Sequence, residues 1–179
     1  MKIYFEVEPI EAGAQNRRRR EEAAIDRLVE RIAPGKKLVH EEYGAPLLEG
    51  SSVSVSVSHS RRFAALAWAD RPISVGVDIE EMRPGQLERV AGRFLAAEEV
   101  DFYGASPERL LRAWTLKEAA YKAMHNGPAD LRLYRLQPWQ ESRVINVGDV
   151  ELGIAYSDWV EDGVYLSVVV KDPELRERT

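Results

Sequence analysis

Residues 51–60 read SSVSVSVSHS, and no other stretch constrains the fold as tightly. The strict period of two belongs to an extended strand, whose successive side chains leave opposite faces. Val53, Val55 and Val57 point one way and the serines the other. Two more strand-like runs follow, at 63–69 and 73–79, joined by the turn Asp70-Arg71-Pro72. Upstream, Ile3, Phe5 and Val7 alternate with Lys2, Tyr4, Glu6 and Glu8, which predicts a strand and not a signal peptide. Residues 37–41 add a short strand before the turn at 43–46. One helix interrupts them, capped by Asn16 and running to about Ile32, with the stripe Ile25, Leu28, Val29 and Ile32. Pro34-Gly35 ends it. The first half is therefore strands around one helix.

The second half opens with helix. Residues 87–94, 96–102 and 107–125 favour it, with Ser106 as cap, Pro107 at the first position and Asn126-Gly127-Pro128 as the stop. Strands are expected at 144–147, 150–156 and 163–170. A length of 179 residues suits one domain or two small halves, divided here as 1–82 and 83–179. Hydrophobic residues make up 45% and charged residues 31%, an ordinary globular balance. There is no cysteine, which excludes disulfides, thiolate metal sites and a cysteine nucleophile and fits a cytoplasmic protein. No apolar run approaches the roughly 20 residues that span a bilayer. The net charge of −5 argues against general nucleic-acid binding, the local exception being Arg17 to Arg20. At about 100° per residue those four arginines spread around the helix and do not share one ligand.

The strand at 73–79 ends in carboxylates: residues 74–82 read SVGVDIEEM. Asp78 and Glu80 are i and i+2, so both leave one face about 7 Å apart along the strand. They are either solvated turn acids or two ligands of a hard cation such as Mg²⁺, which takes a few carboxylates and keeps positions for water and phosphate. Residues 114–122 read WTLKEAAYK. On a helix Ala113, Leu116, Ala120 and Ala123 make the core stripe, and Trp114, Glu118, Tyr121 and Lys122 fall on the adjoining flank. Glu118 either pairs with Lys122 at i+4 or supplies a third carboxylate to the same ion. His59, at the end of the alternating strand, is a polar turn residue or a donor to phosphate.

The order of these pieces is more telling than any one of them. Ser58-His59, then GVDIE, then WTLKEAAYK resembles the surfactin-synthetase-activating type of 4′-phosphopantetheinyl transferase. FLAAEEV at 94–100 is similar to the family's F-x-x-x-E segment. The resemblance runs from about Tyr43 to Lys122. It implies an α+β fold of two pseudo-symmetric halves, each a small antiparallel sheet packed on helix, with coenzyme A and metal in the cleft between them. It implies transfer of the phosphopantetheine arm of coenzyme A to a serine of an apo carrier protein, releasing 3′,5′-ADP. Asp78, Glu80 and Glu118 then correspond to the Mg²⁺ ligands, with Mn²⁺ as the other candidate ion. His59 corresponds to the phosphate partner of coenzyme A, with Ser58 beside it, and Lys122 to the lysine that helps the nucleotide leave. Glu118 is the expected proton acceptor. Lys117 and Trp114 match as supporting residues, and Arg17 or Arg20 stands where the family sets basic residues against the coenzyme A phosphates. The family's Gly-Lys-Pro turn is Gly44-Ala45-Pro46 here, so Ala45 loses a charged contact to the nucleotide. The implied partner is an acidic acyl or peptidyl carrier protein and the implied state a monomer, without nucleic acid or membrane. Two other readings stay open: a holo-acyl-carrier-protein synthase of primary fatty-acid synthesis, and a non-enzymatic coenzyme A or nucleotide-binding module.

Overall fold

The computed structural model describes residues 1–13, 16–40, 46–51, 53–137 and 143–172. The expected strand–helix–strand order opens it: β1 (Ile3–Pro9), α1 (Arg17–Ile32), β2 (Leu38–His40), β3 (Pro46–Leu48), β4 (Val55–His59), β5 (Phe63–Ala69) and β6 (Ser74–Glu81). Then come α2 (Gln86–Val90), α3 (Val100–Tyr103), α4 (Pro107–Met124), β7 (Tyr134–Leu136), β8 (Val144–Val147), β9 (Val150–Glu161) and β10 (Val164–Lys171). Among the described residues the strands form an antiparallel sheet β1-β5-β4, an antiparallel sheet β6-β10-β9-β8-β7 and the small pair β2-β3. The fold is α+β, each large sheet carrying its own helix. β6, which a division at residue 82 leaves with the first half, is hydrogen-bonded to β10 and so ties the halves together.

The packing makes four layers: α1, first sheet, second sheet, α4. Ala24, Leu28 and Val29 of α1 sit on Val55, Ala64 and Leu66. Ala65, Ala67 and Ala69, with Phe5 and Val7, face Val77, Ile79, Leu166 and Val168 across the two sheets. Beyond the second sheet, Leu110, Leu116 and Ala120 of α4 close on Tyr134, Ile145, Leu152 and Val169. Burial of this kind contributes roughly 25 cal/mol per Å² of apolar surface. Both long helices start where their caps dictate: Asn16 Oδ1 accepts from Arg19 N at 2.9 Å and Ser106 Oγ from Arg109 N at 3.3 Å.

Two expectations change in detail. The alternating strand is shorter than its sequence, β4 beginning at Val55, and its serine face is buried: Ser56, Ser58 and Ser60 are 4%, 7% and 2% exposed. The cause is β6, the edge of the second sheet, whose outward N–H groups need acceptors. Val77 N donates to Ser56 Oγ at 3.0 Å and Ile79 N to Ser58 Oγ at 3.4 Å. The serines thus replace a missing strand. The second change is at 87–102, where two helices were expected. The chain makes α2, a 3₁₀ turn, a non-helical step at 94–96 that is extended at Ala96, another 3₁₀ turn and α3. Phe94 and Leu95 turn into the core, and the Glu99 carboxylate takes Ala96 N at 2.8 Å, which fixes the break.

Candidate active site

The site is made where α4 crosses β6. The crossing is close because residue 76 has no side chain: a Cβ there would stand 1.9 Å from Ala119 O and 2.6 Å from Ala123 N. Ser74 Oγ donates to Ala123 O at 2.6 Å and pins the same turn. The glycine of the GVDIE stretch is therefore a contact point for the helix backbone. With α4 seated on Gly76, its Glu118–Lys122 flank lies beside the carboxylates that leave β6 two and four residues further on.

Asp78 pairs in register with Ser167 of β10, and Glu80 with Tyr165. Asp78 is 8% exposed. Its Oδ1 accepts from Ser58 Oγ and from Lys122 Nζ, both at 2.9 Å, and Lys122 also donates to Val77 O at 2.9 Å. The i, i+4 pair of Glu118 with Lys122 does not form, because Lys122 turns to Asp78. Glu80 Oε1 accepts from Glu81 N at 2.9 Å and Arg83 Nη2 at 3.2 Å. Burial pushes the Glu80 carboxyl above its ordinary range, opposed by the Glu81 N–H and Arg83 and helped by Asp78 and Glu81. Burial also raises Glu118, then the charge of Asp78, with Lys122 opposing and Glu80 adding. Glu118 has no hydrogen bond from the described residues. The acids of β6 and α4 thus feel one another: they form one half-covered site with an excess of negative charge.

The other expected residues divide. His59, at the end of β4, has Nδ1 3.5 Å from Glu21 Oε1. Arg17 Nε donates to the same oxygen at 2.5 Å, and Glu21 is the first cause that raises the Arg17 guanidinium, with Glu80 and Glu81 also contributing. His59 and Arg17 therefore stand together near the acid end of β6. Arg20 Nη1 donates to Glu11 O at 3.2 Å and Arg18 pairs with Glu22, so the arginines do fan out. Pro46 opens β3, paired with His40, and no hydrogen bond joins it to the acids. Gly44 and Ala45 lie outside the described residues. Ser58 is buried on Asp78 and Ile79, which leaves it positioning the acid and not facing a cofactor. Lys117 is corrected outright. It is fully buried, donating to Glu99 Oε2 at 2.6 Å and Leu131 O at 3.3 Å, and cannot touch a ligand in the cleft. Burial lowers its ammonium, against the pull of Glu99. Trp114 packs edge-on against Phe94 at 5.2 Å, inside the core under α4.

Sequence reasoning missed Glu21, Arg83 and a hydroxyl chain under α4. Thr115 Oγ1 and Ser167 Oγ are 2.9 Å apart, Ser167 and Ser157 3.3 Å, and Ser157 and Tyr165 OH 3.1 Å. Glu21 had a signal, one turn after Arg17; the hydroxyls had none, because their partners come from three elements. Tyr134, beside Tyr121 and Glu118, is pushed up to about 12 by burial, and its OH has no partner among the described residues. A groove of about 520 Å³ lined by Leu95, Val100 and Leu133 contains none of the acids, and its charges are closed in the pairs Asp130–Arg132 and Glu98–Arg135.

Whether a divalent cation suits the acids follows from their chemistry. Asp78, Glu80 and Glu118 offer hard oxygen donors only, as Mg²⁺ or Mn²⁺ requires. Burial first, and then neighbouring acids, raise the proton affinity of Glu80 and Glu118, with Arg83 and Lys122 opposing. Among the described residues no three such side chains are already set to hold an ion, since Asp78 is turned onto Lys122 and Glu80 onto Arg83. The donor chemistry of the three acids suits such an ion, while the present cationic partners of Asp78 and Glu80 are Lys122 and Arg83.

Comparison with known proteins agrees with this arrangement. The sequence model of the 4′-phosphopantetheinyl transferase superfamily matches residues 74–164, which hold β6, α4 and all three acids. A 4′-phosphopantetheinyl transferase of Bacillus subtilis is 31% identical over 93 residues, 49% of this chain and 40% of that protein. The chain thus matches less than half the length of that curated relative.

Proposed function

The chain belongs to the 4′-phosphopantetheinyl transferase superfamily, and we propose that it moves the phosphopantetheine arm of coenzyme A onto a serine of an apo carrier protein and releases 3′,5′-ADP. The observation that carries this reading is the meeting of Asp78 and Glu80 from β6 with Glu118 and Lys122 from α4 on one half-covered face. A pyrophosphate needs dense positive charge around it and a base beside it, and no nucleophile from this chain.

Asp78, Glu80 and Glu118 would hold Mg²⁺ or Mn²⁺, which when bound neutralises charge on the pyrophosphate. The chain's own residues do the rest. Glu118, on α4 beside Asp78 and Glu80, takes the proton of the incoming serine hydroxyl, directly or through a water. The serine oxygen bonds to the phosphorus that carries the pantetheine arm, and that phosphorus loses its bond to the bridging oxygen, which departs with 3′,5′-ADP. Lys122, already at the site as an ammonium on Asp78, donates to the departing phosphate oxygens. Ser58 keeps Asp78 oriented, and His59 and Arg17 hold the outer phosphates.

Within the family the motif order favours the surfactin-activating type. Arg61 and Arg62 suit the steering of an acidic carrier protein, and carrier KM then rises with salt. The reading further includes a monomer and a cytoplasmic location. No helix among the described residues is long and apolar enough to cross a membrane. The test is mass spectrometry of several apo carrier proteins incubated with the chain, coenzyme A and Mg²⁺. A phosphopantetheine adduct on the carrier serine is expected. Coenzyme A binding with no adduct on any carrier overturns the transferase reading in favour of a binding module.

A further inference from the structure

We propose that Glu21 is a positioning residue that holds Arg17 and His59 with their outer nitrogens turned toward the phosphates of coenzyme A. The inference rests on the transferase reading, and within it on Arg17 and His59 as phosphate ligands. Glu21 follows Arg17 by one turn of α1, so the two side chains share a face. Its Oε1 takes Arg17 Nε at 2.5 Å and stands 3.5 Å from His59 Nδ1 on β4. The carboxylate is the covered member of the three: its side chain is 12% exposed, against 59% for Arg17 and 42% for His59. It therefore takes the Arg17 Nε–H in a hydrogen bond and lies within ion-pair range of His59 Nδ1.

The chemistry follows from that placement. A carboxylate 3.5 Å from Nδ1 favours the ring form with the proton on Nδ1 and turns Nε2 away from Glu21. Nε2 is then the nitrogen that meets a phosphate, as acceptor from its acidic form or, in the imidazolium, as donor. Arg17, held edge-on through Nε, keeps two parallel donors for bidentate contact with a phosphate. Glu80 and Glu81 of β6 act on Arg17 from the acid side. Arg62, three residues after His59, is engaged by Glu81 and by Glu161. Glu21 thus joins α1 to β4, next to the acids where the reaction takes place, and itself touches neither substrate nor ion.

The experiment compares wild type, Glu21→Ala, Glu21→Gln and His59→Ala. It reads KM and kcat for coenzyme A, coenzyme A affinity by calorimetry, and the ¹⁵N spectrum of the neutral His59 ring. Glu21→Ala should raise KM about tenfold, the loss of one charge-assisted hydrogen bond, leave kcat within about twofold, and move the ring proton from Nδ1 toward Nε2. Glu21→Gln, which keeps an acceptor oxygen, should restore most of both. Unchanged KM and ring spectrum in Glu21→Ala, with coenzyme A binding weakened in His59→Ala, overturn the role of Glu21 and leave the phosphate reading standing. Unchanged coenzyme A binding in His59→Ala overturns the phosphate role of His59, and the inference with it. Should Glu21→Ala not fold, the wild-type ring decides: a proton on Nε2 overturns the inference.

Discussion

Lys117 and Lys122 sit five residues apart on α4, and each binds a carboxylate, yet the two pairs are built for different work. Lys117 and Glu99 are both fully covered, 2.6 Å apart. Glu99 spends its remaining capacity on Ala96 N and Leu136 N, and Lys117 its own on Leu131 O. Nothing in that cluster is left for a ligand. It ties α4 to β7 and to the turn before α3. Lys122 and Asp78 are 2.9 Å apart, but their side chains are 29% and 11% exposed, and Glu118 beside them has no hydrogen bond among the described residues. Two charges taken wholly out of water must be matched completely or they destabilise the fold. A half-open pair tolerates a change of partner, which the proposed pyrophosphate substrate would require of it.

The largest effect that can break this comparison is on stability. Lys117→Ala leaves the Glu99 charge buried alone and should cost about 3–5 kcal/mol in denaturant unfolding. Any protein that still folds should keep a near-normal KM for coenzyme A. A large KM change with little loss of stability would mean that Lys117 reaches the ligand after all. Lys122→Ala should do the reverse, with transfer falling about 100-fold and stability changing by no more than about 1 kcal/mol. The corresponding loss for Glu118→Gln is about 10²–10⁴-fold, read as adduct formation on a carrier protein with circular dichroism unchanged.

Smaller effects sharpen the contrast. Ser56→Ala strips the acceptor from Val77 N at the β6 edge and should cost about 1–3 kcal/mol. Glu118 gives a pH signature without metal. Its folded proton affinity is above the unfolded one, so the native state binds more protons in the window from the unfolded value upward, and stability falls as pH rises through the folded value. Glu118→Gln should flatten that fall, so that at pH 7 without divalent ions the variant melts higher than wild type while being a poorer enzyme. A variant that melts lower contradicts the crowded-acid account. Tyr134→Phe removes a buried hydroxyl without a described partner and should be neutral or slightly stabilising in the same melts.

How far the residues announced this depends on how local each signal is. The caps at Asn16 and Ser106, the core face Ala113, Leu116, Ala120 and Ala123, and the strand alternation are decided within a few residues, and they are where the sequence places them. The acids were legible as a same-face pair plus a flank position, but their meeting was not, because it depends on Gly76 admitting the backbone of α4. The two lysines look alike in the string WTLKEAAYK. What separates them is about 140° of rotation for five residues, which sends one under the helix and one to the cleft. The sequence separated the valine face of β4 from its serine face but not which of them is covered, since the partners of Ser56 and Ser58 are backbone groups of an edge strand elsewhere in the chain.

The central claim is that the acids at 78, 80 and 118 act as one charge site for a single divalent ion. Titrating Mn²⁺ or Mg²⁺ into wild type, Asp78→Asn, Glu80→Gln and Glu118→Gln by calorimetry tests it directly. One ion per chain, weakened by each substitution alone, is the predicted result; an affinity that Glu118→Gln leaves untouched would contradict it.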